Sequence, residues 1–519
     1  MWFRGNRKWE IVRTINNGMS DIVVNKLDSV YMKIDCERSI AKELSSFFTF
    51  KVPGHKYMPA YRNKIWDGTI KLFNTFDFTL YNGLLEYLKE FSKERNYTLQ
   101  YSKEEFFSND TKSIEDVRKY MTEYLKPQAH GKAITPHEHQ ISGVCHAINN
   151  GRALLLSPTG SGKSFIIYSL LRYYLSKTDK KILVIVPTTS LVSQMFSDFK
   201  EYSSGNGWTV DDNVHTIMGG RDKETDKRVV ISTWQSIFRQ PKEYFDQFGA
   251  VFGDECHLFK AKSLTTIMSN LRDCDYRIGT TGTLDGSQTH KLVIEGLFGP
   301  TKKVTTTKKL MEKNLLTNLK IDSILLDYDT TEKQLVKKMK YQDEIKWIVG
   351  NEKRNNFISN LTKSLNGNTL VLFQFVESHG KKLHSMIDES VEGREVFFVY
   401  GKTDVEQREQ VRHITENESN AIIVASYGTF STGISIRNLK NIIFASPSKS
   451  RIRVLQSIGR QLRKSDKKDL ARLYDIGDDL SWKSYKNHTL RHFMERMKIY
   501  KSEGFDFKLV NIPLKGGRL

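Results

Sequence analysis

The stretch Ser157-Pro158-Thr159-Gly160-Ser161-Gly162-Lys163-Ser164 restricts the fold of this 519-residue chain more than any other. It follows the apolar run Ala153–Leu156 and precedes the helix-like run Phe165–Leu171. A strand, a glycine-rich turn and a helix in this order form a phosphate-binding loop, in which backbone N–H groups and the positive end of the helix face the phosphates. The first position is serine, where the strict pattern has glycine. An ordinary glycine-rich turn is the alternative, but the flanking runs favour a nucleotide site.

The residue types of this loop suit the contacts that ATP and Mg²⁺ need. Lys163 would reach the β- and γ-phosphates, and the hydroxyl of Ser164 would ligate Mg²⁺. The residues predicted to surround the nucleotide are Thr159, Gly160, Ser161, Gly162, Lys163 and Ser164. The loop predicts ATP and Mg²⁺ as cofactors, but it does not indicate what hydrolysis drives.

The charge balance points to a polyanionic partner. The chain has 80 Lys and Arg against 60 Asp and Glu, a net charge of +20. A field of this sign favours nucleic acid, although high solubility or an acidic membrane surface would select the same balance. At this length the chain exceeds a single core and suggests about three domains.

The cysteines and apolar runs indicate an intracellular protein. Cys36, Cys145, Cys256 and Cys274 show no paired metal-ligand spacing, which fits a reducing cytosol without a zinc site. The N-terminus lacks the apolar core of a signal peptide, and runs such as Ile182–Val186 are of strand length. We therefore expect a cytoplasmic location, in the host cell if the protein is viral, and no membrane partner.

Strands alternating with helices from about residue 128 predict an α/β fold with two tandem parallel-sheet domains after an N-terminal α+β domain. The predicted segments are an α+β, nucleic-acid-binding domain (1–125), an ATP-binding domain (126–300), a basic connection (301–335), a second parallel-sheet domain (336–485) and a basic C-terminal tail (486–519). No second glycine-rich phosphate loop follows the later strands.

A basic and aromatic stretch lies at Lys56–Gly68 of the N-terminal domain. Arg62, Lys64 and Trp66 would combine phosphate contact with base stacking. The alternative is a hairpin with Asp67-Gly68 as its turn and its aromatic side chains packed inward. The sequence leaves both interpretations open.

A second chemical motif, Asp254-Glu255-Cys256-His257, ends the apolar run Ala250–Phe252. A carboxylate at the end of a buried strand can hold Mg²⁺ opposite a phosphate loop, and Asp254 is the candidate. Glu255 can orient and deprotonate the attacking water. Adjacent acids are common in loops, so the motif gains its weight from Lys163 and Ser164.

Four motifs of this chain, and the order in which they occur, resemble those of superfamily 2 helicases. They are the phosphate loop, Asp254–His257, Thr281-Gly282-Thr283 and Gln456-Ser457-Ile458-Gly459-Arg460-Gln461-Leu462-Arg463. The last pattern is the hardest to obtain by chance, although a basic amphipathic surface helix is the alternative.

The resemblance implies two RecA-like domains that clamp ATP, with Arg460 and Arg463 as arginine fingers. A guanidinium that stabilises the transferring phosphoryl group is worth roughly 10³–10⁵ in rate. Gln456 would contact the γ-phosphate region or the attacking water. Gln140 matches the family's adenine-reading glutamine, since an amide can donate to and accept from adenine; a plain loop glutamine is the alternative.

Other matched positions concern coupling and the nucleic-acid backbone. The resemblance assigns coupling to His257, Thr281 and Thr283, with Gly282 where the family has alanine. Positions that match the family's backbone contacts are Thr188, Thr189, Thr233, Ser426 and Thr432. Short hydroxyl side chains and helix N-termini suit phosphates without reading bases.

Within this superfamily, the stretches around Tyr61–Gly68, Val186–Thr189 and Ala425–Ser435 resemble the UvsW-type helicases of T-even bacteriophages. That resemblance implies 3′-to-5′ remodelling of branched DNA: fork regression, branch migration and unwinding of RNA–DNA hybrids, in recombination, replication and repair. The expected partners are branched, single-stranded and duplex DNA, with RNA–DNA hybrids as a further substrate, and the expected state is a monomer.

Three other functions stay open at this point. An RNA helicase would share the motifs, and a branched-DNA-binding protein switched by ATP would bind without unwinding. A phosphate-loop metabolic kinase should lack Gln456–Arg463 and the +20 charge.

Overall fold

The computed structural model describes residues 9–11, 20–107, 111–129, 131–220, 222–259, 261–284, 287–433, 436, 438–448, 450–462 and 470–514. Within these ranges, the side chains of some residues are not described: 9–11, 288, 289, 405, 431–433, 451–453 and 460. The chain divides into two units, residues 1–157 with 162–304 and residues 158–161 with 305–519. Among the described residues, no helix has the length and apolarity that crossing a bilayer would need.

The first unit begins with a mixed α+β region. Its strands are β1 (Trp9–Ile11), β2 (Ile22–Lys26), β3 (Tyr31–Cys36), β4 (Thr49–Lys51), β5 (Thr69–Lys71), β6 (Thr79–Tyr81) and β7 (Leu99–Ser102), and its helices are α1 (Arg38–Phe47), α2 (Pro59–Arg62) and α3 (Leu85–Glu94). One sheet has the order β1-β7-β2-β3-β6, and β4 pairs with β5. Met32 and Ile34 alternate with less buried neighbours along β3 and pack with residues of α1 and α3, as one-sided burial of a sheet requires.

A polar segment of short elements leads into the parallel sheet. It contains α4 (Lys103–Phe106), α5 (Ile114–Lys119), β8 (Gln128–Ala129) and β9 (Lys132–Ala133). Ser113 caps α5 by accepting a hydrogen bond from the backbone N–H of Asp116, whose carboxylate accepts one in return from the backbone N–H of Ser113.

The first parallel sheet has seven strands in the order β12-β13-β11-β14-β15-β10-β16. Its elements are α6 (Glu138–Asn150), β10 (Arg152–Leu156), α7 (Lys163–Tyr174), β11 (Lys181–Val186), α8 (Thr189–Ser203), α9 (Val210–Asn213), β12 (Val214–Ile217), β13 (Val229–Thr233), α10 (Trp234–Ile237), β14 (Phe248–Gly253), α11 (Lys262–Asn270), β15 (Tyr276–Thr281), α12 (Gln288–Phe298) and β16 (Thr301–Lys303). Along β11, Ile182 and Val184 join one hydrophobic cluster while Leu183 and Ile185 join the other. Both faces of this sheet are therefore covered, as its continuous apolar runs predict.

The second unit repeats this architecture, with strand order β19-β20-β18-β21-β22-β17-β23. Its elements are α13 (Thr307–Glu312), β17 (Asn318–Asp327), α14 (Thr330–Val336), α15 (Tyr341–Gly350), α16 (Glu352–Ser364), β18 (Thr369–Phe373), α17 (Lys381–Ser390), β19 (Val396–Val399), α18 (Val405–Asn417), β20 (Ile422–Ser426), α19 (Tyr427–Gly433), β21 (Asn441–Phe444), α20 (Arg451–Gln461), β22 (Leu470–Asp479), α21 (His488–Glu503) and β23 (Asp506–Pro513). Every strand pair in this sheet is parallel. The predicted α/β class, with two tandem parallel sheets after an α+β region, is confirmed.

The structure corrects two predicted segments. Residues 301–335 are not a simple basic connection, because β16 forms an edge of the first sheet and β17 lies inside the second. Residues 486–519 are not a tail, because β23 pairs with β17 along eight residues and α21 packs on β22. The lysines near the ends of these strands and helices suggested that the segments are exposed. The middle of β17 is nevertheless buried.

Within the first unit, the N-terminal domain and the parallel sheet share one hydrophobic core. Polar contacts fix the junction: Tyr87 Oη donates to Glu295 Oε2 at 2.6 Å, and Ser29 Oγ donates to Asp275 Oδ1 at 2.7 Å. The guanidinium of Arg152 donates to the Ser29 carbonyl at 2.7 Å, and burial lowers the pKa of Arg152 to about 9. A shared core together with these hydrogen bonds makes the N-terminal domain a fixed part of this unit.

We expect Gly83→Ala to loosen this junction. A Cβ at residue 83 would lie 2.0 Å from the Glu295 carbonyl oxygen and 2.7 Å from that of Gly296, so the backbone must shift. The free energy of unfolding should fall by about 1–3 kcal/mol, measured by denaturant unfolding. The control is Gly219→Ala, which meets no heavy atom within 4 Å. Equal stability of the two variants would contradict the tight junction.

Candidate active site

Three predicted motifs meet at one edge of the first parallel sheet. The phosphate loop follows β10, Asp254 follows β14 and Thr281 ends β15, and these three strands are neighbours in the order β14-β15-β10. Because parallel strands end at the same edge, residues far apart in sequence become adjacent. The backbone N–H of Ser157 donates to the Thr281 carbonyl at 2.9 Å, which joins the first motif to the third.

The phosphate loop has the backbone that its glycines predict. Gly160 and Gly162 have φ values of +82° and +83°, a region that residues with a Cβ rarely adopt. The hydroxyl of Ser161 donates to the Pro158 carbonyl at 2.6 Å, and α7 begins at Lys163. A side chain at residue 162 is excluded a second time, because its Cβ would lie 2.2 Å from Nε2 of Gln140.

Gln140 lies on a helix and not in a loop, while its adenine-reading role stays a prediction. It lies in the first turn of α6, where its Oε1 accepts a hydrogen bond from the backbone N–H of His137 at 2.9 Å. Its side chain is buried against Gly162 of the phosphate loop. The position fits a residue of the nucleotide site. The amide oxygen is already engaged in the cap at the start of α6.

Lys163 and Glu255 face each other across the site. Nζ of Lys163 lies 3.8 Å from Oε1 of Glu255, and both side chains are largely buried. Glu255 has φ of +50° and ψ of +50°, a left-handed conformation that is uncommon for a residue with a side chain. Such a backbone conformation persists only where the surrounding structure stabilises it, and it is frequent at functional sites. The geometry pairs the predicted phosphate-binding cation with the predicted general base.

Asp254 is buried beside this pair and held by a threonine. The hydroxyl of Thr280 donates to Asp254 Oδ1 at 2.9 Å. Burial raises the pKa of Asp254, and the charge of Glu255 adds to the effect while Lys163 opposes it. A buried carboxylate of this kind gains from a cation, which suits the predicted role in holding Mg²⁺.

His257, Thr281 and Thr283 form a connected series of hydrogen bonds. The hydroxyl of Thr281 donates to the Thr283 carbonyl at 3.0 Å, so its oxygen accepts from Nδ1–H of His257 at 3.1 Å. The same Nδ1 lies 3.3 Å from Oε2 of Glu255. This assignment of the histidine proton follows from the hydrogen bonds around it. The series connects His257, which lies close to Glu255, to the end of β15, and its coupling role stays a prediction.

The donor set fits ATP with Mg²⁺. Among the described residues, no group of three or more His, Cys, Asp or Glu has the geometry of a self-contained metal site. Ser164 and Asp254 offer hydroxyl and carboxylate oxygens, the hard ligands that Mg²⁺ takes together with substrate phosphates. The cation is therefore expected to arrive with the nucleotide.

Sequence reasoning missed Thr280 and Tyr202. Strand register could have indicated Thr280, because Gly253 pairs with Gly279 and one further step along both chains leads to Asp254 and Thr280, whose side chains are hydrogen-bonded. Tyr202 comes from α8, and its hydroxyl lies 2.9 Å from Oγ of Ser164. No local pattern connects these two residues, which are 38 positions apart.

The predicted nucleic-acid residues lie at helix starts and strand ends. Thr188 is the N-cap of α8 and accepts from the backbone N–H of Leu191 at 3.3 Å, with Thr189 next in the chain. Thr233 ends β13, where its Oγ1 lies 2.9 Å from Ser236 Oγ. Ser426 ends β20 and contacts Thr429 Oγ1 at 2.8 Å. These hydroxyls are placed where phosphates are commonly bound, in part already engaged as caps.

Some predicted residues fall partly outside the description. Thr432 lies in α19 and Arg460 in α20, but their side chains are not among the described ones. Gln456 lies on α20 with a half-buried side chain, and Arg463 lies outside the described residues. Their predicted roles stay predictions.

The basic stretch of the N-terminal domain is an open groove rather than a hairpin. Asp67-Gly68 is not a turn between two strands, because a short 3₁₀ turn and α2 fill the segment between β4 and β5. The groove, of about 1070 Å³, is lined by Lys56, Tyr61, Arg62, Lys64, Ile65, Trp66, Asp67, Thr69 and Lys71. Ile65 is 79% exposed and Tyr57 78% exposed, so these apolar side chains do not form a core. The hairpin turn predicted at Asp67-Gly68 is therefore wrong, although β4 and β5 do pair antiparallel and Tyr61 and Trp66 are half-buried. The role of this segment in binding nucleic acid stays a prediction.

Comparisons with known proteins agree with this geometry. Residues 21–102 match the family model described as DNA helicase UvsW, N-terminal; residues 132–286 match Type III restriction enzyme, res subunit; residues 352–465 match Helicase conserved C-terminal domain. The chain is 37% identical to the ATP-dependent DNA helicase uvsW of Enterobacteria phage T4, over 95% of this chain and 100% of that protein. The crystal structure of T4 UvsW matches with a TM-score of 0.51 at 35% identity, again over 95% and 100% of the two chains.

A more distant relative is the DNA 3'-5' translocase XPB2 of Sulfurisphaera tokodaii. It is 22% identical over 64% of this chain and 80% of its own length.

We expect Glu255→Gln to bind nucleotide but to lose turnover. The amide keeps the shape of the side chain and removes the base, which should slow phosphate release by about 10²–10⁴-fold. Phosphate release and binding of a fluorescent ATP analogue measure the two steps. Glu243→Gln, at an exposed position, is the matched control. Unchanged turnover in Glu255→Gln would assign the base elsewhere.

Proposed function

The chain belongs to the UvsW family of ATP-dependent DNA helicases, and we propose that it uses ATP hydrolysis to remodel branched DNA. The proposed reactions are fork regression, branch migration and R-loop unwinding, in recombination, replication and repair. The observation that carries this proposal is that Lys163 and Ser164, at the start of α7, belong to the same unit as the basic groove at Arg62 and Lys64. A groove fixed to the motor domain can meet a second DNA arm while the motor moves along the first.

In the proposed hydrolysis step, Lys163 exchanges partners. Its ammonium pairs with Glu255 in the structure, and triphosphate oxygens would compete for it with a larger charge. Glu255, released from the lysine, would accept a proton from the water that attacks the γ-phosphate. Mg²⁺, held by Ser164 and Asp254, would neutralise developing charge on the phosphates. Thr280 keeps Asp254 oriented for this role.

The hydrogen bonds of His257 provide a route for coupling. A change at Glu255 alters a carboxylate 3.3 Å from His257 Nδ1, and the same nitrogen is hydrogen-bonded to Thr281. Thr281 and Thr283 then report the state of the nucleotide to the chain that follows β15. Gln456, Arg460 and Arg463 are proposed to stabilise the transferring phosphoryl group, by their match to the helicase motif.

Hydroxyl groups at helix starts are proposed to hold the DNA backbone. Thr188, Thr189, Thr233, Ser426 and Thr432 are the candidates, and none of them needs to read a base. Arg62, Lys64 and Trp66 are proposed to contact the branch point, with the charges on phosphates and the indole against an exposed base. Nε1 of Trp66 donates to the Thr69 carbonyl at 2.7 Å, which fixes the ring.

We also propose 3′-to-5′ movement and a monomeric helicase that requires Mg²⁺. The direction is supported by the resemblance to the translocase of Sulfurisphaera tokodaii, which is described as 3'-5'. RNA–DNA hybrids are proposed as a further substrate.

The deciding experiment compares labelled substrates in one assay. A fork, a four-way junction, an R-loop, a linear duplex and a single-stranded RNA are offered with ATP and Mg²⁺, and strand displacement is followed on gels. Faster processing of the branched DNA substrates supports the proposal. Preference for RNA would indicate an RNA helicase, and ATP-sensitive binding without displacement would indicate a switched binding protein.

We expect Lys163→Ala to abolish ATP turnover while DNA binding persists. The substitution removes the cation that reaches the phosphates, whereas the groove residues are untouched. ATPase assays and fluorescence anisotropy with labelled DNA separate the two properties. Lys177→Ala, in the loop after α7, is a control for the loss of a lysine. Normal turnover in Lys163→Ala would contradict the assigned site.

We expect the double variant Arg62→Ala/Lys64→Ala to bind forked DNA more weakly and with less dependence on salt. Loss of two phosphate contacts should lower the slope of log affinity against log salt by about 2. Arg38→Ala/Lys42→Ala, at exposed positions on α1, is the matched control. A salt slope equal to that of the control would remove the groove from the proposed DNA path.

A further inference from the structure

The predicted magnesium ligand of the phosphate loop has a partner outside every helicase motif. Oγ of Ser164 lies 2.9 Å from the phenolic oxygen of Tyr202, in the last turn of α8. The tyrosine ring meets Phe165 edge-on, with centroids 5.3 Å apart, and lies 5.5 Å from the ring of Tyr168. The hydroxyl is therefore aimed at the start of α7 by packing on both sides.

The half-buried ring of Tyr202 packs against a neighbour that is itself held by hydrogen bonds. Tyr168 is fully buried, and its phenolic oxygen accepts hydrogen bonds from Arg172 at 2.9 Å and from Asn206 at 3.0 Å. The Arg172 guanidinium in turn lies 4.5 Å from the ring of Trp208. A side chain locked in this way can position a neighbour, because its own rotamer does not need to be selected at each encounter.

Hydroxyl chemistry decides what Tyr202 can do for Ser164. A serine hydroxyl has one proton and two lone pairs, and either oxygen of this pair can donate when the loop is free. When a lone pair of Ser164 is given to Mg²⁺, the serine proton still needs an acceptor. Tyr202 is placed to be that acceptor. A lone pair of the serine oxygen would then be available to a cation.

Helix α8 connects this contact to the predicted DNA backbone site. The helix begins after its N-cap, Thr188, and Thr189 is its first residue; Tyr202 is its last residue but one. A helix of 15 residues with internal hydrogen bonds moves largely as one body. A bound phosphate that shifts the start of α8 would therefore also shift Tyr202 and its contact with Ser164.

We propose that Tyr202 is a positioning residue that orients Ser164 for the Mg²⁺–nucleotide complex and couples it to DNA bound at the start of α8. The inference rests on the proposed function, since it takes the loop to bind ATP and the helix start to bind DNA. By reciprocity, DNA then tightens Mg²⁺–nucleotide binding, and nucleotide tightens DNA binding by the same factor.

The test removes only the hydroxyl, with Tyr202→Phe in the full chain. Binding of a fluorescent ADP analogue is measured in Mg²⁺ and in EDTA. Loss of one hydrogen bond should weaken the Mg²⁺-dependent binding by about threefold to tenfold and leave binding in EDTA unchanged. Tyr124→Phe, at a residue 65% exposed, is the matched control, and equal melting temperatures exclude a folding defect.

A double-mutant cycle with Ser164→Ala separates positioning from packing. If Tyr202 acts through Ser164, Tyr202→Phe has no further effect once the serine hydroxyl is gone. An equal loss in both backgrounds would overturn the proposal. A melting temperature lowered only by Tyr202→Phe, with the same loss in EDTA, would also overturn it by showing a purely structural role.

Coupling is measured as the ratio of analogue affinities with and without a single-stranded oligonucleotide. The ratio should exceed one in the wild type and fall toward one in Tyr202→Phe. A wild-type ratio above one that Tyr202→Phe retains overturns the coupling role and leaves the proposed helicase function standing. Absence of any nucleotide binding by the wild type would instead overturn the proposed function itself.

Discussion

The ion pair between Lys163 and Glu255 is the interaction on which the active site depends. It places a cation from the start of α7 3.8 Å from a carboxylate that follows β14, in a largely buried setting. Leaving either charge alone there would be costly, so the two groups stabilise each other. In the proposed mechanism, a triphosphate would offer the lysine a stronger partner, and binding would be linked to hydrolysis because the base is released when the phosphates engage the lysine.

Hydroxyl groups hold the charged residues in place. Thr280 orients Asp254, Thr281 shares the proton of His257, and Tyr202 contacts Ser164. Each hydroxyl can donate and accept, so it can follow a neighbour through a change of charge without leaving a buried group unsatisfied. This property suits a site that alternates between a free and a nucleotide-bound state.

The first unit also contains the basic groove that is proposed to bind DNA. Its N-terminal domain shares a hydrophobic core with one face of the parallel sheet, and Glu295 and Asp275 accept hydrogen bonds across the junction. Because the junction is packed, the basic groove keeps a fixed position relative to the first parallel sheet and to Lys163 at the start of α7. A rigid groove is what a motor needs if movement along one DNA arm is to change the position of another.

The sequence by itself determined the fold class and the prediction of a nucleotide site, because both depend on patterns of consecutive residues. The phosphate loop, the continuous apolar strands and the Asp254–His257 motif each predict their own structure without outside contacts. Only the tertiary structure decided the rest. It placed the lysine-rich segment in the two sheets through β16 and β17, turned Ile65 outward, and brought Tyr202 to Ser164. Strand order, exposure and contacts between distant residues depend on which surfaces pack together, and no short stretch of sequence contains that information.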